Sequence, residues 1–341
     1  MDLEIFWFCV VAVCWAAYFV LEGFDFGVGM LLPFLPRGAR AEEDRRTMFQ
    51  AIGPVWDANE VWLVVAAGAT FAAFPTWYAT MFSGFYIALL AILVLLIVRV
   101  VSFEWRAKSE SPRWRSVWTW ANTVASVGAP FLWGVALASL LYGVPIGSNG
   151  DFTGDLADLF SPYSVVAGIA VVLLFAFHGS IFLGLRTAGE LSDRAERATR
   201  RLGIPAVLVT AAFLVWTVVV AMDRNDKDLF PPLLPAIVGI AALVLAMAFL
   251  SMGRTGRAFA MTALGAIAAV ATLFTSLYPR VMVSDPDFSS SLTVENASSS
   301  PYALKVMTVA ALILIPVVLL YQAWTYYVFR RRLGGETIAP N

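Results

Sequence analysis

Charge is scarce in this 341-residue chain: acidic and basic residues together make up 14%, about half of the roughly 25% usual in soluble domains. The little charge nearly cancels, with 23 basic against 24 acidic residues. The basic excess that a nucleic-acid binder needs is therefore missing. With 60% hydrophobic residues, the chain can neither stay disordered nor cover a soluble globule with polar surface. Histidine is reduced to one, His178, too few for a multi-haem or zinc site made by this chain alone. The two cysteines, Cys9 and Cys14, lie five apart in the first apolar segment. They fall on different sides of a helix, cannot pair locally, and read as small buried hydrophobes. What these absences leave is a multi-span membrane protein.

A membrane helix needs about 20 predominantly apolar residues. The 38 residues from Val61 to Val98 carry no charge, and Phe74-Pro-Thr-Trp77 interrupts them; residues 116–150 are also uncharged. The pattern predicts nine helices, at about 5–24, 48–74, 78–99, 117–142, 163–185, 204–222, 233–252, 258–278 and 303–329, with tolerable prolines at 130 and 316. They form an all-α integral membrane protein with a single membrane domain, 1–341. Asp2 and Glu4 stand where a secretory signal needs positive charge, so the first segment is expected to be retained.

Orientation follows from the basic residues. Nineteen of the 23 fall in loops 25–50, 99–116, 186–203 and 253–257 and in the tail at Arg330–Arg332. The alternate loops hold only Arg224, Lys227, Arg280 and Lys305. This alternation predicts an outside N-terminus and a cytoplasmic C-terminus, and an eight- or ten-helix arrangement would break it. The longest outer segments are about 143–162 and 279–302, and the second is expected to be ordered only by packing on a neighbour.

Ionisable residues inside a span are the informative ones. Glu22 and Asp25 close the first apolar stretch, and Asp57 and Glu60 lie inside the second expected helix, with Asn59 between them. Each pair is spaced i, i+3 and so shares a helix face. Counted from Met48, Asp57 lies roughly 13 Å in. His178 falls in the cytoplasmic half of its helix, and Arg99 and Glu104 at the cytoplasmic end of theirs. The polar groups thus gather in one half, which suggests a half-channel passing protons from the cytoplasm to a point part-way across. Asp57 and Glu60 read as functional. For Glu22 and Asp25 a structural role at the interface stands beside proton transfer, and for His178 packing stands beside relay. Gly23-x-x-x-Gly27 reads as close helix packing rather than a nucleotide loop, because no strand precedes it. Tryptophans and tyrosines such as Trp77, Tyr78, Trp105, Trp114 and Trp118 read as an interfacial belt.

Several segments carry a family resemblance. They are Glu22-Gly-Phe-Asp-Phe-Gly-Val-Gly-Met30, Trp56-Asp-Ala-Asn-Glu-Val-Trp-Leu63, Phe82-Ser-Gly-Phe-Tyr86, Phe103-Glu-Trp-Arg-Ala-Lys108, Gly143-Val-Pro145, Arg186-Thr-Ala-Gly-Glu190 and the stretch Ser289–Tyr326. In this order and spacing, over nearly the whole chain, the sequence resembles subunit II of cytochrome bd-type ubiquinol or menaquinol oxidases. The resemblance implies two four-helix bundles plus one extra helix in a bacterial cytoplasmic membrane. It implies a heterodimer with a subunit I that carries two b-type haems and haem d, while this chain carries none. The complex would oxidise quinol and reduce dioxygen to water electrogenically. The resemblance also admits a bound quinone or lipid and small single-helix accessory subunits. The family's proposed proton path falls on Asp25, Asp57 and Glu104, and some relatives have Gln at the positions of Glu60 and His178. Two other readings of the residues remain open: a proton-coupled secondary transporter, and a purely structural subunit.

Overall fold

The computed structural model describes residues 2–333. Its helices are α1 (Leu3–Leu31), α2 (Ala41–Ile52), α3 (Trp56–Ala73), α4 (Pro75–Gly84), α5 (Tyr86–Trp105), α6 (Pro112–Tyr142), α7 (Pro162–Arg186), α8 (Gly189–Arg224), α9 (Phe230–Ser251), α10 (Thr255–Leu277) and α11 (Pro301–Val328). Two short antiparallel strands, β1 (Arg280–Met282) and β2 (Leu292–Thr293), complete the set. Eight helices are long and apolar enough to cross a membrane, and α3 with α4 makes a ninth if that pair, bent by 120°, counts as one span.

The first group comprises α1, α3, α5 and α6, with α1 against α3 and α6 and α5 against α6. In the second, α7 to α10 pack on one another. The groups meet where α7 crosses α1 and α6. Glycines permit those crossings. A Cβ added at Gly27 would lie 2.0 Å from the Phe175 carbonyl oxygen, and one at Gly134 would lie 2.7 Å from the Gly168 Cα. The expected packing role of Gly23 and Gly27 therefore appears, Gly27 against the α7 backbone and Gly23 against the Phe175 ring, the small-residue mode of membrane helices. Helix α11 stands apart. It touches α1 and α3, and most of its apolar length faces outward. Trp7 of α1 holds it through Nε1–H bonds to the Leu304 carbonyl (3.3 Å) and Thr308 Oγ1 (3.1 Å).

Several expectations are corrected. The helix expected over 48–74 is broken at 53–55, where Gly53 and Pro54 separate α2 from α3. Proline lacks the N–H and clashes with the preceding turn, so the ladder cannot pass through it. The first helix runs to Leu31 rather than 24, because Phe26, Val28, Met30 and Leu31 continue the apolar face beyond the acids. Cys14 is buried, but Cys9 faces outward. Trp77 is a core residue, not part of an interfacial belt. The segment 279–302 is ordered by this chain itself. Val283 N–H bonds to the Leu140 carbonyl (2.8 Å) and Val144 N–H to the Val283 carbonyl (3.1 Å). Ser299 donates to the Ala72 and Ala73 carbonyls, so the hairpin clamps the ends of α3 and α6. Arg224 pairs with Asp285 beside it.

Candidate functional site

The polar heart of the molecule lies on α1. Glu22 and Asp25 are wholly buried. Nine and six residues before Leu31, they lie roughly 13 and 9 Å inside the helix end. Glycines surround them in sequence for a physical reason: Gly23 and Gly27 let α7 approach, and Gly29 lets Ser126 of α6 approach. The backbone on those sides is sealed by close packing, and the two acids meet α3 and α5.

From α5 comes Arg99, also wholly buried, whose Nη1 donates to Glu22 Oε1. The guanidinium lies over Phe26 at 4.5 Å and Phe103 at 5.5 Å from the ring centroids, a desolvated cation–π setting. The Arg99 backbone carbonyl accepts from Ser102 Oγ (2.5 Å) and Asn122 Nδ2 (3.3 Å), which fixes this turn of α5 against α6. From α3, Asn59 Nδ2 donates to Asp25 Oδ2 (2.7 Å) and to the Leu21 carbonyl (3.1 Å). Asn59 Oδ1 accepts from Tyr326 OH (2.7 Å), and Gln322 Nε2 stands at 3.5 Å. Gln322 Oε1 in turn accepts from Trp62 Nε1 (2.8 Å). The cluster thus binds four helices: α1, α3, α5 and α11.

Its hydrogen bonding is incomplete. Among the described residues, Glu22 Oε2, Asp25 Oδ1, Arg99 Nε and Nη2, and Tyr18 OH one turn earlier are buried with no hydrogen bond of good geometry. Each such atom costs about 1–3 kcal/mol, so five around one ion pair mark a place not built for stability alone. Two carboxyls against one guanidinium are neutral together only when the cluster holds one proton. A net charge in a dry interior is the costly alternative.

The other expected residues lie outside this cluster. Asp57 is exposed, in the first turn of α3, because the break at Pro54 removes the depth counted from Met48. Glu60, one turn further on, is partly buried and within electrostatic reach of Arg99 and Asp57. Glu104 is exposed near the end of α5. His178 is buried but apart from the acids. Its Nδ1 faces Thr262 Oγ1 (2.6 Å), its Nε2 faces the Val20 carbonyl (3.2 Å), and its ring stacks on Phe259 at 4.4 Å. Sequence reading missed Gln322, Tyr326, Trp62 and Asn122. A neutral amide inside an apolar span was the signal available for Asn122 and Gln322.

Amphipathic α2 crosses the arginine-rich end of the helices. Glu42 takes Arg106 Nη1 (3.0 Å) and Nη2 (2.6 Å), and Asp44 takes Arg194 Nη2 (2.5 Å). Burial pushes the Glu42 carboxyl up, but the Arg106 hydrogen bonds and the charges of Arg106, Arg115 and Arg45 outweigh it and leave the group below its ordinary value. Among the described residues no group of three or more His, Cys, Asp and Glu side chains could hold a metal ion.

Comparison with known proteins places this arrangement. The family described as cytochrome bd terminal oxidase subunit II matches residues 3–329. The chain is 42% identical over 336 residues to cytochrome bd ubiquinol oxidase subunit 2 of Bacillus subtilis (strain 168), covering 98% of each. It is 35% identical to cytochrome bd-I ubiquinol oxidase subunit 2 of Escherichia coli (strain K12), covering 99% of this chain and 97% of that one. Its fold resembles a chain in the structure of bd oxidase from Geobacillus thermodenitrificans, with a TM-score of 0.74 at 19% identity, over 96% of this chain and 99% of that one.

Proposed function

The chain belongs to the cytochrome bd terminal oxidase subunit II family, and from that premise we propose that it is the haem-free subunit of a quinol:oxygen oxidoreductase and carries protons inward from the cytoplasm for dioxygen reduction. A subunit I partner holds two b-type haems and haem d, and it supplies the redox chemistry. The N-terminus lies outside and the C-terminus inside, in a bacterial cytoplasmic membrane, as the nineteen-to-four distribution of basic residues indicates. The haem-free reading is supported by His178: both ring nitrogens already have partners within the chain, so neither fits an axial iron ligand.

The observation that carries the proton role is the buried Glu22–Arg99–Asp25–Asn59 cluster with its two partnerless carboxyl oxygens. Exposed Asp57 and Glu104 stand at the arginine-rich end and gather protons. Glu60, one turn above Asp57 and about 4.5 Å further along α3, leads towards the pair. The pair holds the proton. His178 is assigned to packing, since its partners are a hydroxyl, a carbonyl and an aromatic face. This assignment moves the centre of the path from Asp57 to Asp25 and Glu22.

Asp25→Asn keeps shape and removes titration. The expected result is an assembled complex with its full haem spectrum and oxygen consumption lowered at least tenfold. Asp57→Asn, at an exposed position where neighbours substitute, is expected to lower it only a few-fold. Wild-type turnover in Asp25→Asn with haems intact would overturn the proton role and leave a structural subunit.

A further inference from the structure

Three arginines are not used by anything described so far. Arg37 follows α1, and Arg197 and Arg201 lie on the third and fourth turns of α8. With Arg194 they line a cleft of about 300 Å³ whose inner wall includes Leu31 and Leu202. Arg194 is engaged by Asp44 (2.5 Å) and Glu190 (3.4 Å). Arg37, Arg197 and Arg201 make no ion pair among the described residues. The nearby acid Glu196 does not line the cleft, and its Cγ lies beside Gly184 of α7. The cleft therefore carries an uncompensated positive charge above an apolar floor.

The helix continues that pattern outward. Residues 197, 201, 204, 208, 215 and 219 recur at steps of three, four or seven, which places them on one face of α8. Beyond the arginines the stripe is Ile204, Leu208, Val215 and Val219, each more than half exposed. Arg201 and Arg197 stand about 4.5 and 10 Å above Ile204. A bilayer's headgroup layer is roughly 5–7 Å thick on each side of its hydrocarbon core. An ordinary interfacial helix shows basic residues near its end, but not a cleft that gathers four guanidinia over leucines and opens onto an apolar stripe.

We infer that this cleft binds the phosphate headgroup of an anionic phospholipid, with the acyl chains lying along Ile204 and Leu208 of α8. A guanidinium cluster suits a phosphodiester through paired N–H donors. Basic pockets between membrane helices at the cytoplasmic side take such headgroups. The lipid would sit against the joint where Asp44–Arg194 ties α2 to α8.

The test is native mass spectrometry of the intact complex, delipidated in mild detergent and titrated with phosphatidylglycerol or phosphatidylcholine. Each arginine facing an anionic headgroup is worth about fivefold in affinity. The double variant Arg197→Gln/Arg201→Gln is expected to bind phosphatidylglycerol about twenty-five-fold more weakly at one site. Arg200→Gln, outside the cleft, should leave binding unchanged. Equal phosphatidylglycerol affinity in wild type and double variant, or equal retention of phosphatidylcholine, would overturn the inference. So would inorganic phosphate displacing the lipid at equal concentration, since the apolar stripe would then add nothing. If the double variant does not assemble, a photoactivatable phosphatidylglycerol on the wild type decides. Labelling within 194–208 supports the site, and labelling confined to other segments sinks it.

Discussion

Removing the charge of Arg99 tests whether the buried cluster behaves as an ion pair in a dry interior. Arg99→Met keeps much of the side-chain volume between Phe26 and Phe103 but leaves Glu22 and Asp25 without a counter-charge. Breaking a buried pair from one side costs about 3–5 kcal/mol. Against a total stability of roughly 5–15 kcal/mol for a typical domain, that is a fifth or more. The first group of helices should then assemble poorly, because Arg99 is also the polar tie between α5 and α1. Glu22→Gln/Arg99→Met removes both charges. It leaves Asp25 with its Asn59 bond and should recover most of the loss, ending within about 1–2 kcal/mol of wild type.

Two readouts are needed. Assembled complex per milligram of membrane, from the haem difference spectrum, follows folding, and detergent-denaturant titration of the purified complex gives the free-energy differences. Oxygen consumption per assembled complex reads out the proposed proton delivery. The expected pattern is a single variant that is scarce and a double variant that is abundant but slow. A single variant within 1 kcal/mol of wild type would show that the pair is solvated, which refutes the dry-cluster reasoning. A double variant no more stable than the single one would refute the pairing itself.

Two further outcomes follow from the same packing. Gly27→Ala drives a methyl group into the Phe175 backbone, 2.0 Å from its carbonyl oxygen, and should cost about 3 kcal/mol or more, whereas Gly68→Ala in α3, with nothing within 4 Å, should be neutral or stabilise by up to about 1 kcal/mol; thermal unfolding of the two complexes compares them directly. Glu42 ionises below its ordinary value near 4.5 because of Arg106, Arg115 and Arg45, so its anchoring of α2 is fully present above that value and is lost as pH falls through the lower, folded one. Protease nicking within 41–52 should therefore rise below about pH 4.5 in wild type, and Glu42→Gln should show raised nicking already at neutral pH; a wild-type profile flat down to pH 3 would refute the anchor.

Much of the fold was legible because apolar length and basic alternation are local, additive signals. Val61–Val98 and 116–150 announce helices whatever they pack against. The site was less legible, for two physical reasons. The acids themselves ended the apolar run at residue 21, so Glu22 and Asp25 looked interfacial. The group that makes their burial tolerable, Arg99, lies 77 residues away from Glu22. Asp57 looked deep because the count began at Met48, and one proline removed that depth. Pro54 was in view, but a proline inside a membrane helix can kink it as readily as end it. The polar side of α11 was hidden for a different reason. Gln322 and Tyr326 are ordinary in an apolar helix until Asn59 and Trp62 are found opposite them.

The amide of Asn59 decides where in the cluster a proton can sit. Its Nδ2 serves two acceptors at once, Asp25 Oδ2 and the Leu21 carbonyl, while its Oδ1 accepts from Tyr326. Turning the amide over would set Oδ1 against the Leu21 carbonyl, two acceptors with no hydrogen between them. The Leu21 carbonyl cannot change role, since a backbone oxygen only accepts. The orientation is therefore locked, and Asp25 Oδ2 must remain an acceptor in either protonation state. A proton carried by Asp25 is confined to Oδ1, and one carried by Glu22 to Oε2, since Oε1 already accepts from Arg99. These are the two carboxyl oxygens without a partner. Loading and unloading at those atoms disturbs neither Asn59 nor the Tyr326 and Gln322 contacts that seat α11. The same residues can therefore hold four helices together and still exchange a proton, without one role opposing the other.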